Sequence, residues 1–177
     1  MVPMTDLTRY IRDIPDFPKK GIVFKDVTTL FKDATALQQA VDLLYEQYHD
    51  KKIDKVVGIE SRGFILGSAL AIRLGCGFVP LRKKGKLPSQ TIQQEYSLEY
   101  GTDVIEMHTD ALQPHERVLL HDDLLATGGT MEAAVRLIEK MNGHIAGISF
   151  LIELAFLRGR DRLKKYDVFS LITYNQE

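Results

Sequence analysis

The chain has 177 residues, 45% of them hydrophobic and 27% charged, with a formal net charge of -1; these are ordinary values for a globular domain with its own core. So small a net charge gives no global electrostatic basis for binding a nucleic-acid polymer or a membrane surface. A single cysteine, Cys76, rules out an internal disulfide framework, and no apolar run nears the roughly 20 residues of a membrane span.

The N-terminus carries no signal-peptide pattern, so the expectation is one cytoplasmic domain spanning residues 1–177, with Cys76 in its core. Thr5 or Asp6 is placed to cap a short helix carrying Leu7, Tyr10, Ile11 and Ile14, which Pro15 and Pro18 end. Residues 22–27 then read as a short extended stretch with Phe24 in its middle, a position that by itself suggests core. Asp33 caps a second helix, where Leu37, Ala40, Val41, Leu44, Tyr45 and Tyr48 make one apolar face.

Residues 56–59 form a short apolar strand that breaks at Glu60-Ser61-Arg62-Gly63 into a helix through Phe64, Leu66, Leu70 and Leu74. A small residue and a glycine at a helix N-terminus, beside the forked charge of Arg62, suit an anion. Gly75 and Gly77 invite a dinucleotide motif, but they lie between helix and strand and the third glycine is absent, so the motif is rejected. Residues 78–81 are the next strand. From Arg82 to Ile92 the chain turns basic and reads as a mobile loop, either a solvated surface run or a lid over a polyanion. Residues 96–100 and 103–107 then form a hairpin turning at Gly101-Thr102.

The stretch VLLHDDLLATGGT, residues 118–130, organises the rest. It starts as a strand apolar on both faces and meets Asp122 and Asp123. It then passes through Ala126-Thr127-Gly128-Gly129-Thr130 into a helix with Met131, Ala134, Val135, Ile138 and Met141 on one face. Two glycines, two hydroxyls and a helix N-terminus make an anion site for one phosphate. The carboxylates cannot share that phosphate; they suit sugar hydroxyls or the water shell of a metal. Taken together, the stretch is chemistry for a sugar phosphate. Residues 145–154, a short helix over 156–165 and residues 168–172 complete the pattern. Strands alternating with helices imply an α/β fold: an open, largely parallel central sheet flanked by helices, with a small N-terminal hood and the basic loop and hairpin attached. Ligands of such sheets bind beyond the carboxyl ends of the strands, where all three loops lie.

The strings GIVFKDVT, ESRGF, RKKGKLP, YSLEYG and DDLLATGGT resemble the type I phosphoribosyltransferase family along nearly the whole chain, and RKKGKLP followed by YSLEYG resembles its adenine branch. The resemblance implies transfer of the ribosyl group of 5-phosphoribosyl-1-pyrophosphate (PRPP) to adenine, giving AMP and pyrophosphate. It implies Mg2+ carried by PRPP and waters with no direct protein ligand, and a homodimer. It places Asp122 and Asp123 at the ribose, and Ala126, Thr127, Gly128, Gly129 and Thr130 at the 5-phosphate. Glu60, Ser61 and Arg62 would form the pyrophosphate loop, with a cis peptide between the first two. Lys86 would reach PRPP from the basic loop, and Arg82 would act from the partner subunit. Glu99 would be the catalytic carboxylate, Tyr100 would help close the site, Phe24 would stack on adenine, and Val23 and Lys25 would read its edge through their backbone.

Two residues depart from the family's commonest pattern: Lys25, where arginine is frequent, and His121, read as structural. A transferase for hypoxanthine, guanine or xanthine, or a PRPP-sensing regulator without turnover, are the competing readings. Retention of Glu99 and the absence of a DNA-binding segment or basic face weigh against the regulator.

Overall fold

The computed structural model describes residues 6–98 and 101–176. Its centre is a seven-stranded sheet built from β3 (Lys55–Ile59), β4 (Gly77–Lys83), β5 (Thr91–Leu98), β6 (Gly101–His108), β7 (Arg117–Leu125), β8 (His144–Leu154) and β9 (Val168–Tyr174). Their spatial order is β5-β6-β4-β3-β7-β8-β9. The five strands from β4 to β9 in that order run parallel, and β6 joins β4 and β5 antiparallel. A separate two-stranded piece, β1 (Arg12–Ile14) with β2 (Phe24–Asp26), forms the hood.

Side-chain alternation along the strands separates two apolar layers. Val57, Val118 and Leu120 face one layer with α4 (Gly129–Lys140). Val56 and Leu119 face the other, with α1 (Thr28–Phe31), α2 (Ala34–Tyr48) and α3 (Gly63–Leu74). The Asp33 carboxylate accepts from Ala36 N at 2.9 Å, satisfying a free donor of the first turn of α2 as its sequence position predicts.

The sheet contains a switch point. From β3 the chain crosses to β4 on one side, while β7 lies on the other side of β3. The carboxyl ends of β3 and β7 therefore open onto a common crevice.

Several boundaries differ from the sequence reading. The first helix is only a 3₁₀ turn, Leu7–Tyr10, capped by Asp6; Ile11 is its cap and Ile14 belongs to β1. The hood strand takes the residues before Pro15 because β2 offers them backbone partners, Ile14 opposite Phe24. Arg82 and Lys83 lie on β4 rather than in a loop, because β6 continues their hydrogen bonding opposite Glu106 and Ile105. Gly101 and Thr102 do not turn the hairpin; they pair with Leu98 and Ser97 within the sheet. Residues 156–165 are no single helix but two 3₁₀ turns, Ala155–Leu157 and Gly159–Leu163, broken where Arg158 adopts a left-handed backbone with φ 56°. Cys76 is half-buried rather than a full core residue.

Candidate active site

The strand carrying the acidic pair does not stop before it. β7 keeps pairing with β8 as far as Leu125 opposite Glu153, while its pairing with the shorter β3 ends at His121 opposite Gly58. Asp122 and Asp123 thus sit on a strand braced from one side and open on the other. The two carboxyl groups remain neighbours, each within hydrogen-bonding reach of the other. Asp122 lines a cavity of about 80 Å³ with residues 124–131 and Phe150. Asp123 turns toward α3, where its Oδ2 lies 2.8 Å from Arg62 Nε. That contact is an ion pair by separation without hydrogen-bond geometry, and Oδ2 has no hydrogen-bond donor.

Burial, and next the neighbouring Asp123 charge, hold the Asp122 carboxyl well above the usual carboxylate range. Burial also raises Asp123, against the opposing pull of Arg62. The pair as a unit keeps a proton to higher pH than a free aspartate does. Asp122 Oδ1 accepts from the backbone of Asp123 at 2.8 Å. A Cβ at Gly63 would lie 2.9 Å from Asp122 Oδ1, so only glycine lets α3 begin against the acidic pair.

Arg62 is the hub. It is the residue at the N-terminal end of α3, its guanidinium lies 5.2 Å from the centre of the Phe24 ring, and it meets Asp123 on the sheet. One side chain links hood, helix and acidic strand. Phe17 stands edge-on to Phe24 at 5.2 Å. Val23 is half-buried immediately before β2, while Lys25 is buried and pairs with Asp13 at 2.8 Å. The Lys25 ammonium also lies 4.4 Å from the Tyr174 ring centre, which ties the hood to the end of β9.

The loop after β3 and the basic turn are joined. The peptide between Glu60 and Ser61 is cis. Glu60 Oε2 accepts from Arg82 Nε at 3.2 Å and from Lys83 N at 2.9 Å. Burial raises the Glu60 carboxyl, but these donors outweigh it and leave the group below its ordinary value. Arg82 Nη1 also donates to the Lys86 carbonyl at 3.1 Å. Within one chain, then, Arg82 is held by Glu60 and by the turn that carries Lys86, whose own side chain is exposed. Ser61 is exposed beside them.

The loop from Ala126 to Thr130 wraps the cavity. Gly128, at φ 81°, makes the left-handed step into α4. The hairpin lies over this loop: the Tyr96 and Thr130 side chains are neighbours, and a Cβ on Gly129 would stand 3.3 Å from Ser97 O. His121 is wholly buried behind the pair, with Nδ1 2.8 Å from Ser149 Oγ. Burial lowers it to about 4, which leaves it neutral at pH 7. Glu99 and Tyr100 lie outside the described residues.

Two residues of the site escaped the sequence reading. Gly159 lies against the back of the loop of residues 126–130, where a Cβ would fall 2.2 Å from Ala126 O; nothing in the string LRGR signals that contact. Glu106 is 2% exposed beneath the basic turn. A glutamate between Ile105 and Met107 in an apolar strand was a usable signal, because buried carboxylates need dedicated partners.

Among the described residues no group of three His, Cys, Asp or Glu side chains forms a metal cage. The donor set, two carboxylates with one oxygen lacking a donor, suits a hard cation that keeps its waters and rests mainly on substrate phosphates. No helix among the described residues is long and apolar enough to cross a membrane.

Comparison with known proteins agrees with this geometry. The family model for the phosphoribosyl transferase domain matches residues 28–177. An adenine phosphoribosyltransferase of Geotalea daltonii is 57% identical over 171 residues, covering 97% of this chain and all of the relative. One from Geobacter metallireducens is 58% identical over 171 residues, with the same coverage of both chains. Among solved structures, adenine phosphoribosyltransferase from Thermoanaerobacter pseudethanolicus superposes with a TM-score of 0.93 at 50% identity, covering 97% of this chain and 99% of that one. The Saccharomyces cerevisiae enzyme, complexed with an imino-altritol bisphosphate and adenine, superposes with a TM-score of 0.88 at 40% identity, covering 93% and 96%. The sheet order, the acidic pair against the start of α3 and these whole-length matches agree, and the chain belongs to the adenine phosphoribosyltransferase family.

Proposed function

We propose that the chain transfers the 5-phosphoribosyl group of PRPP to adenine and releases AMP and pyrophosphate. The observation that carries this reading is the line from Phe24 through Arg62 to Asp123, with Asp122 and the phosphate loop beyond it. An aromatic surface, a fixed cation, two carboxylates and an anion loop follow in the order base, leaving group, ribose, 5-phosphate. Family membership with relatives 57% identical supports the same choice of base.

In this reading the 5-phosphate sits at the N–H groups of residues 127–130, held by the backbone and the start of α4. Asp122 and Asp123 accept hydrogen bonds from the ribose hydroxyls and fix the ring. The anomeric C–O bond breaks as the base nitrogen forms the new C–N bond; the electron pair leaves with pyrophosphate, and the N–H proton of the base passes to the departing pyrophosphate or to water. The transition state has ribosyl-cation character, which a nearby carboxylate stabilises. Glu99 is assigned that task, with Tyr100 helping to close the site over the reacting carbon and keep out water. Arg62 and Lys86 stabilise charge building on pyrophosphate, and Glu60 and Ser61 shape the loop around it. Magnesium, when bound, would supply charge neutralisation there, with Asp122 and Asp123 placed to face its water shell. Phe24 stacks on adenine, with the backbone of Val23 and Lys25 reading its edge.

We place the enzyme in the cytoplasm as one domain and a homodimer, with Arg82 serving the partner's pyrophosphate site. An unpaired cysteine goes with a reducing compartment. The test is turnover of purified protein with PRPP, magnesium and each of adenine, hypoxanthine, guanine, xanthine and orotate. AMP from adenine alone is expected. Comparable turnover of another base, or PRPP binding without turnover, overturns the reading.

A further inference from the structure

We propose that Glu106 is a positioning residue that sets the shape of the basic turn and, through it, the placement of Lys86. The inference rests on the reading of Lys86 as a PRPP contact. Glu106 lies on β6, the middle strand of the antiparallel end, opposite Arg82 on β4 and Gln93 on β5. Its Oε1 accepts from three successive backbone N–H groups, Gly85 at 3.0 Å, Lys86 at 3.1 Å and Leu87 at 3.2 Å. Its Oε2 accepts from Thr91 Oγ1 at 3.3 Å and Gln93 Nε2 at 3.4 Å. Converging N–H groups of this kind form a concavity for an anion. Here the chain fills it with its own carboxylate.

Two consequences follow. The turn's backbone donors are used up, so the turn meets a polyanion with the Lys86 ammonium and not with its N–H groups. Lys86 is also held on both sides. Its N–H goes to Glu106, and its carbonyl accepts from Arg82, which is anchored on Glu60 beside the pyrophosphate loop. A long flexible side chain leaving a fixed backbone point loses less freedom on reaching its ligand than one leaving a mobile loop. Gly85 makes the fold of the turn possible: its φ of 81° directs the N–H inward, and a Cβ there would meet nothing within 4 Å.

The experiment compares Glu106→Gln, Lys86→Ala, the double variant and Gly85→Ala, with thermal melts to confirm folding. The KM for PRPP is expected to rise about tenfold in each single variant, the scale of one lost charge-assisted contact, while the KM for adenine stays within about twofold. If Glu106 works through Lys86, the double variant is no worse than Lys86→Ala. Should Glu106→Gln fail to fold, Gly85→Ala decides, since it strains the turn without touching the buried carboxylate. Overturning results are a folded Glu106→Gln, or in its place a folded Gly85→Ala, with wild-type KM for PRPP, or effects that multiply in the double variant. A Lys86→Ala variant with wild-type KM instead removes the premise, and the inference with it.

Discussion

Gly159→Ala tests how tightly the loop of residues 126–130, proposed to hold the 5-phosphate, is shaped from behind. The added Cβ would lie 2.2 Å from Ala126 O and 3.0 Å from Gly128 N, both backbone atoms that cannot rotate away. Restoring ordinary contact needs a shift of roughly 1 Å, and overpacking of this kind costs about 1–3 kcal/mol. The stiff neighbours are the strand β8 and the Glu153–Arg160 pair, whose carboxylate also accepts from Ser170. The displacement therefore falls largely on the loop. A misplacement of about 1 Å at an element proposed to hold the 5-phosphate can cost about 10²-fold; if the cost falls on binding, the KM for PRPP should rise roughly 10–100-fold. The melting temperature should fall by about 2–10 °C for a chain of this size. Steady-state kinetics with PRPP varied at saturating adenine, beside a thermal melt, measures both. A variant that melts lower yet keeps its KM for PRPP would refute the claim that this contact shapes the loop.

Three more expectations follow. Asp122→Asn should raise stability at pH 7 by about 1 kcal/mol while lowering activity, because a carboxyl held above its ordinary pKa favours the folded state less once it ionises; a melt and an AMP assay check both signs. Asp26, held down to about 2 first by Arg12 and then by Thr28, has the opposite sign. Its contribution is full above about pH 4 and is lost as pH falls through about 2, so Asp26→Asn should cost about 1 kcal/mol at pH 7, after solvent screening of the half-exposed Arg12, and only a small part of that at pH 2. For Arg82, inactive Arg82→Ala subunits mixed with inactive Asp122→Asn/Asp123→Asn subunits should regain activity toward half that of a wild-type dimer in the mixed species. No recovery would place Arg82 in its own subunit's site, beside the Glu60 that holds it.

The parallel sheet was legible because β3, β7 and β8 are short apolar runs between helical patterns, and those runs are set by burial on both faces. The candidate site was legible where unusual residue types stand close together, as in the acidic pair followed by two glycines. What the linear pattern concealed was contact made at a distance. Arg82 and Lys83 look like the start of a loop because they are charged, yet β6 pairs with their backbone whatever their side chains. The acidic pair looks like the end of a strand for the same reason, yet β8 carries β7 on to Leu125. Gly159 earns its place through one backbone atom more than thirty residues away in sequence, which no local spacing encodes. The place of Arg62 at a helix start was readable from the sequence; that it also faces Phe24 follows only from the hood folding back over α3.

The most direct test of the account is a structure of the protein with AMP bound. The account predicts the 5-phosphate within hydrogen-bond distance of the N–H groups of residues 127–130, ribose hydroxyls on Asp122 and Asp123, and the adenine ring stacked on Phe24. AMP bound with its phosphate elsewhere, or with its base away from Phe24, would contradict it.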